Sequence, residues 1–138
     1  MNKINDIDLT PGAELPVLTR PAGLAAWNRF AAVNDEFIPI HMDDEAGHEA
    51  GFSGAIGMGN LQWSYFHILL RQTFGESAKI ARIACQYRLP SLKGTVLSIR
   101  ARIAEVNLVD GGTDVELLLW SQDDQERQIA SGSATVRL

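Results

Sequence analysis

The sequence predicts an α+β fold, on three observations. Residues 60–74 read as a helix that is apolar on more than one stripe (Leu61, Trp63, Tyr65, Phe66, Ile68, Leu69, Leu70), which places it inside the molecule rather than on its surface. The half of the chain that follows changes period and supplies about four segments with strand-like alternation. One short strand and a helical segment precede the helix, and that order belongs to a sheet with its helices segregated to one face. A long helix wrapped by a curved antiparallel sheet is the expected architecture.

Taken in order, residues 1–14 mix polar and small side chains around the turn signal Pro11-Gly12. Leu15–Thr19 suits a short edge strand, because Pro16 cannot donate to a ladder on both sides. After Pro21-Ala22-Gly23, the spacing of Leu24, Trp27 and Ala31 predicts a short helix over 24–33. A loop over 35–43 follows, and then a second short helix over 43–50 whose acidic first turn complements the helix dipole. Gly51, Gly54, Gly57 and Gly59 fall within nine residues, a density expected where backbone turns tightly or approaches something closely. Gly75 ends the long helix. Lys79–Leu89 alternates loosely up to Pro90, and Thr95–Val106 alternates cleanly, with Arg100 and Arg102 opposite Ile99, Ala101 and Ile103. Asp110-Gly111-Gly112-Thr113 is a hairpin signal. Strands over 114–120 and 129–136, with a turn at 123–126, complete the order.

Composition sets outer bounds. The chain has 138 residues, 46% hydrophobic and 21% charged, enough for one domain over 1–138 with its own core. A net charge of -5 gives no electrostatic support for binding nucleic acid. Cys85 is the one cysteine, so no internal disulfide is available and a reducing, cytoplasmic compartment is expected. The segment Met1–Asp6 lacks the apolar core of a signal peptide, and no window approaches the ~20 apolar residues of a membrane span.

The chemistry concentrates in Val33–Asp43 and Gly54–Gly59. Glu36 precedes His41 by five residues, with Pro39 between them preventing a continuous helix and pushing Ile38 toward extended geometry. The two side chains then converge from opposite sides of one small volume. The Gly-rich turn opens the long helix and leaves its first amides unpaired. A proton-accepting carboxylate, an imidazole that titrates near neutrality and a set of N–H donors are what adding or removing water beside a carbonyl requires. Asp35, one residue earlier, is a rival carboxylate at a different spacing. His41 bonded only to backbone, Glu36 and Asp35 as solvated loop acids, and Gly59 as a plain helix-start glycine are the structural alternatives.

Other reactive side chains carry weaker signals. His48 and His67 have no partners at a metal-ligand spacing, so no metal site is expected. His67 on an enclosed helix suits a hydrogen-bonded core residue or one lining a tunnel. Cys85 suits a buried strand position. Lys79, Arg82, Arg88 and Lys93 are candidates for phosphate contacts. Gly57-Met58-Gly59 lacks the later glycine and βαβ context of a dinucleotide site.

The run Glu36-Phe37-Ile38-Pro39-Ile40-His41 with the turn Ile56-Gly57-Met58-Gly59 resembles the hydratase motif of MaoC-like dehydratases, the (R)-specific enoyl-CoA hydratases of the hot-dog fold. That motif reads Asp, any residue, Asn, Pro, an aliphatic residue and His, followed by an Ile-Ala-His-Gly turn. This chain carries Glu36 in place of Asp and Ile38 in place of Asn. The resemblance implies a curved antiparallel sheet around a long central helix, with Glu36 and His41 catalytic and the Gly59 amide facing the thioester oxygen. It places Asp35, Met58 and Asn60 as substrate-binding candidates. The implied reaction is reversible hydration of a trans-2-enoyl-CoA to a 3-hydroxyacyl-CoA, with no cofactor other than the CoA of the substrate. Implied partners are the acyl-CoA thioester and a second hot-dog chain, as a homodimer, a higher homo-oligomer or a heteromer, with no nucleic acid and no membrane. A thioesterase of the same fold and a non-catalytic acyl-binding subunit are the alternatives.

Overall fold

The computed structural model describes residues 7–138, so Met1–Asp6 lies outside the described residues. Its strands are β1 (Leu18–Pro21), β2 (Lys79–Tyr87), β3 (Val96–Val109), β4 (Gly112–Gln122) and β5 (Gln128–Arg137). They form one antiparallel sheet in the order β1-β3-β4-β5-β2. The helices are α1 (Leu24–Asn34), α2 (Asp44–Glu49) and α3 (Gly59–Phe74). A single 3-10 turn, Pro39–His41, sits between α1 and α2.

The sheet is built by alternation. On β3, Leu97, Ile99, Ala101 and Ile103 are at most 1% exposed, and on β4 Val115, Leu117 and Leu119 are at most 2% exposed. These side chains form the concave face that receives α3. Arg100 and Arg102 take the opposite face, as the period-2 pattern requires, and Arg102 stacks its guanidinium 5.6 Å from the centre of the Trp120 ring. The turn between β3 and β4 is Asp110-Gly111, with Gly111 at φ +88, where a side chain would be strained.

From α3 the sheet receives Leu61, Tyr65, Phe66, Leu69, Leu70 and Phe74. Trp27 of α1 and Met58 at the α3 amino end are enclosed beside them. Each fully buried side chain of this size contributes about 1.5–3 kcal/mol by leaving water, so the helix is held by burial rather than by its own propensity. Gly75 ends it at φ +87, its amide donating to the Arg71 carbonyl at 2.9 Å.

Element boundaries depart from expectation at the hairpin, where β3 runs to Val109 and β4 spans Gly112–Gln122, and near prolines. The first strand begins at Leu18 rather than Leu15; Leu15 is still buried and its amide donates to the Ala101 carbonyl at 3.0 Å. Pro16 interrupts the ladder between the two. β2 stops at Tyr87, two residues short of the expected end, as the chain approaches Pro90. Asp43 is the N-cap of α2 and not its first residue, accepting the Glu45 amide at 3.0 Å. Among the described residues no helix is long and apolar enough to cross a membrane.

Candidate active site

Local backbone chemistry sets the positions of Glu36 and His41. α1 ends because Asp35 adopts left-handed geometry (φ 53, ψ 43), and the amides of both Asp35 and Glu36 then donate to the Ala31 carbonyl. That closure turns the chain so that Glu36 leaves the helix end half-buried, while Asp35 stays exposed. Ile38 is extended (φ -91, ψ 126), as the residue before a proline is, and Pro39 starts the 3-10 turn that carries His41.

His41 is 9% exposed and its Nδ1 lies 2.8 Å from the Ile56 carbonyl oxygen. A carbonyl only accepts, so Nδ1 holds the proton and donates, and Nε2 carries the free lone pair. No protein partner takes that lone pair among the described residues. The Ile56 amide donates back to the Ile40 carbonyl at 3.0 Å, so the histidine turn and the Gly-rich segment are tied together from both directions.

Glu36 is held from α3. Asn60 donates its Nδ2 to Glu36 Oε2 at 3.3 Å, while Ile38, 42% exposed and apolar, has no side chain able to hydrogen-bond it. At that same end of α3, the amides of Gly59, Asn60 and Leu61 precede the first intrahelical bond, Gln62 N–H to the Met58 carbonyl at 3.4 Å. The Gly57 amide is already engaged, donating to the Ser91 carbonyl at 2.9 Å.

A cavity of about 320 Å³ is lined by His41, Gly57, Gly59, Tyr87, Leu89 and Ile129. Two buried polar atoms in its lining have no hydrogen-bond partner: Gln62 Nε2, on a residue 4% exposed, and Ser91 Oγ, on a residue 2% exposed. Tyr87 packs its ring so closely on Gly59 that a Cβ there would lie 2.7 Å from Cε2 and 2.9 Å from Cζ. Burial first, then the neighbouring Cys85 and the Glu36 carboxylate, push the Tyr87 phenol up to about 12. It is therefore a permanent donor at neutral pH.

The structure places His41 and Gly59 in the lining of one cavity and pairs Glu36 with Asn60 at the amino end of α3; neither Glu36 nor Asn60 lines that cavity. The other two candidates lie apart. Asp35 serves the turn that ends α1, and Met58 is fully enclosed in the core as the residue preceding α3. Of the basic candidates, Arg88 lines the cavity and donates to Ser131 Oγ at 2.9 Å. Lys93 is engaged by Asp44 at 2.5 Å and Arg82 lies 3.7 Å from Glu116. His67 stacks at 5.5 Å from Trp63, and burial first, then Arg71, pushes its imidazole down. Tyr87, Gln62 and Ser91 were not expected at the site. Gln62, placed beside Leu61 and one helical turn before Phe66, was the one local sign of them.

The sequence profile of the MaoC like domain matches residues 5–124. The chain belongs to that family. Solved structures agree on the MaoC-like fold. The (R)-hydratase from A. caviae involved in PHA biosynthesis superposes with a TM-score of 0.83 at 22% identity, over 97% of this chain and 98% of that one. The R-hydratase PhaJ1 from Pseudomonas aeruginosa gives 0.83 at 17% identity over 92% and 80%. The ChsH1-ChsH2 complex from Mycobacterium tuberculosis gives 0.81 at 15% identity over 94% and 98%. No curated protein matches the sequence. At such identities the likeness establishes the MaoC-like, hot-dog fold of a curved antiparallel sheet around α3.

Proposed function

We propose that this MaoC-like chain is a hydratase acting reversibly between a trans-2-enoyl-CoA and a 3-hydroxyacyl-CoA. The observation that carries the reading is the hydrogen bond of His41 Nδ1 to the Ile56 carbonyl, which leaves Nε2 as the free ring nitrogen of a residue that lines one cavity with Gly59. Glu36, oriented by Asn60, takes a proton from water as its oxygen bonds the β-carbon. Electrons of the C=C bond shift to the thioester oxygen as an enolate, which the amino end of α3 stabilises. His41 Nε2 accepts a hydrogen bond from the same water and orients it, and the proton that Glu36 has taken passes on to the α-carbon; dehydration runs the same steps backward.

The CoA of the substrate is the only cofactor this scheme uses. The outer edge of β2, with Tyr87 51% and Leu89 44% exposed beside the cavity, suits the edge of a second hot-dog chain, identical or homologous. A chain whose one cysteine lies half-buried in β2 suits a reducing compartment such as the cytoplasm.

The test is loss of enoyl-thioester absorbance when the purified protein is mixed with crotonyl-CoA and, separately, with a longer enoyl-CoA. Hydration of either one supports the reading. Release of free thiol without hydration would replace it with thioester hydrolysis, and tight acyl-CoA binding with no turnover would make the chain an acyl-binding subunit.

A further inference from the structure

Charge that develops on a thioester oxygen is stabilised by donors fixed in advance, and such sites ordinarily present more than one. Three residues that line this cavity, Gly57, Gly59 and Gln62, carry N–H groups at the amino end of α3. The Gly57 amide is consumed by the Ser91 carbonyl at 2.9 Å. The Gly59 amide, first in α3, has no acceptor within its helix. The third is the side-chain amide of Gln62, three residues further along α3.

Gln62 has the properties of a donor kept for a ligand. It is 4% exposed, its Nε2 is buried with no partner, and its Oε1 accepts from Ser121 Oγ across a long 3.5 Å. That contact turns the carbonyl end toward β4 and leaves the NH2 end without a protein partner, on a residue that lines the cavity together with His41 and Gly59. Residues three apart share one helix face, and helical side chains lean toward the amino end. The Gln62 amide is thereby carried back toward the Gly59 N–H. A buried, unpaired amide is destabilising, and a leucine of similar volume would fill the position at no such penalty.

We infer that Gln62 is a catalytic residue, the second hydrogen-bond donor to the substrate's thioester oxygen beside the backbone amide of Gly59. The inference rests on the hydratase reading: the developing enolate gives the glutamine its purpose.

The test combines kinetics with a direct view of the side chain. In Gln62→Leu, kcat for crotonyl-CoA is expected to fall about 100-fold or more, the scale for losing one such donor, while KM changes little and thermal stability holds or rises. In the wild-type protein, the side-chain amide resonances of Gln62, assigned by their absence from the variant, are expected to shift when acetoacetyl-CoA binds. A variant that keeps kcat within about threefold of wild type, or a bound thioester that leaves those resonances unmoved, overturns the assignment. If wild type binds acetoacetyl-CoA and the Gln62 resonances move but no enoyl-CoA is hydrated, the donor stands and the hydratase reading falls. Hydration with unmoved resonances gives the reverse. A wild-type protein that binds no acetoacetyl-CoA removes both. Should Gln62→Leu not fold, Gln62→Glu assigns the resonances and the wild-type titration decides alone.

Discussion

Gly59→Ala separates the needs of the fold from those of the site. An added Cβ would lie 2.7 Å, 2.9 Å and 3.2 Å from three Tyr87 ring atoms, whereas ordinary contact begins at 3.4 Å. The ring therefore has to retreat by about 0.7 Å, a distance read from those contacts. Tyr87 is 51% exposed on an edge strand, so it can swing outward without disturbing the core. Alanine at the same time favours the helix by up to about 1 kcal/mol, less at its first residue. Stability is expected to stay level. Activity is not, because the displaced ring borders the cavity beside the amide proposed to face the thioester; displacement on the order of 1 Å costs roughly 100-fold in rate. Thermal unfolding and crotonyl-CoA hydration are measured on the same preparation, together with Tyr87→Ala and the double variant. In the double variant the methyl no longer meets a ring, so its activity should match Tyr87→Ala alone. A midpoint lowered by more than about 4 °C, the scale of 1 kcal/mol for a chain of this length, would refute the claim that the ring yields. A double variant well below Tyr87→Ala would refute the clash as the cause of lost activity.

Three further outcomes are expected. His41→Ala should abolish hydration and leave a folded protein, read by turnover and circular dichroism; undiminished turnover would remove His41 from the mechanism. Gly132→Ala should be severely destabilising, because its Cβ would overlap the Ala84 carbonyl oxygen and lie 2.7 Å from the Cys85 Cα, forcing β5 from β2; a melting temperature near wild type would contradict this. Asp123 gives a pH signature. Burial pushes its carboxyl up, but the Arg127 amide, the Arg127 guanidinium and the Gln125 amide outweigh that and hold it below the ordinary value. Its stabilisation is therefore complete above the unfolded carboxylate pKa of about 3.9 and is lost as pH falls through the lower folded value. Asp123→Asn should lower stability at pH 7 by roughly 1.5–3 kcal/mol, the range for a hydrogen bond to a charged group. Thermal melts from neutral pH to below that range should show the gap between variant and wild type closing only at the acid end.

Local pattern carried most of the architecture. The alternation of Ile99, Ala101 and Ile103 against Arg100 and Arg102 determined which face of β3 is buried, and all three apolar residues are 0% exposed. The enclosed character of α3 and the bend at Pro39 were equally readable, because strand period, helix period and proline geometry act between residues a few positions apart. From the motif alone, Glu36, His41 and Gly59 could be named as candidates. Their arrangement could not. It took the tertiary structure to bind His41 Nδ1, through the carbonyl of Ile56 fifteen residues on. The same holds for Asn60 reaching Glu36 across 24 residues, for Tyr87 lying on Gly59, and for the Ser91 carbonyl consuming the Gly57 amide and leaving Gln62 unpaired. Such pairings depend on which polar groups meet across the closed sheet, and a repeat of two or 3.6 residues holds no record of them.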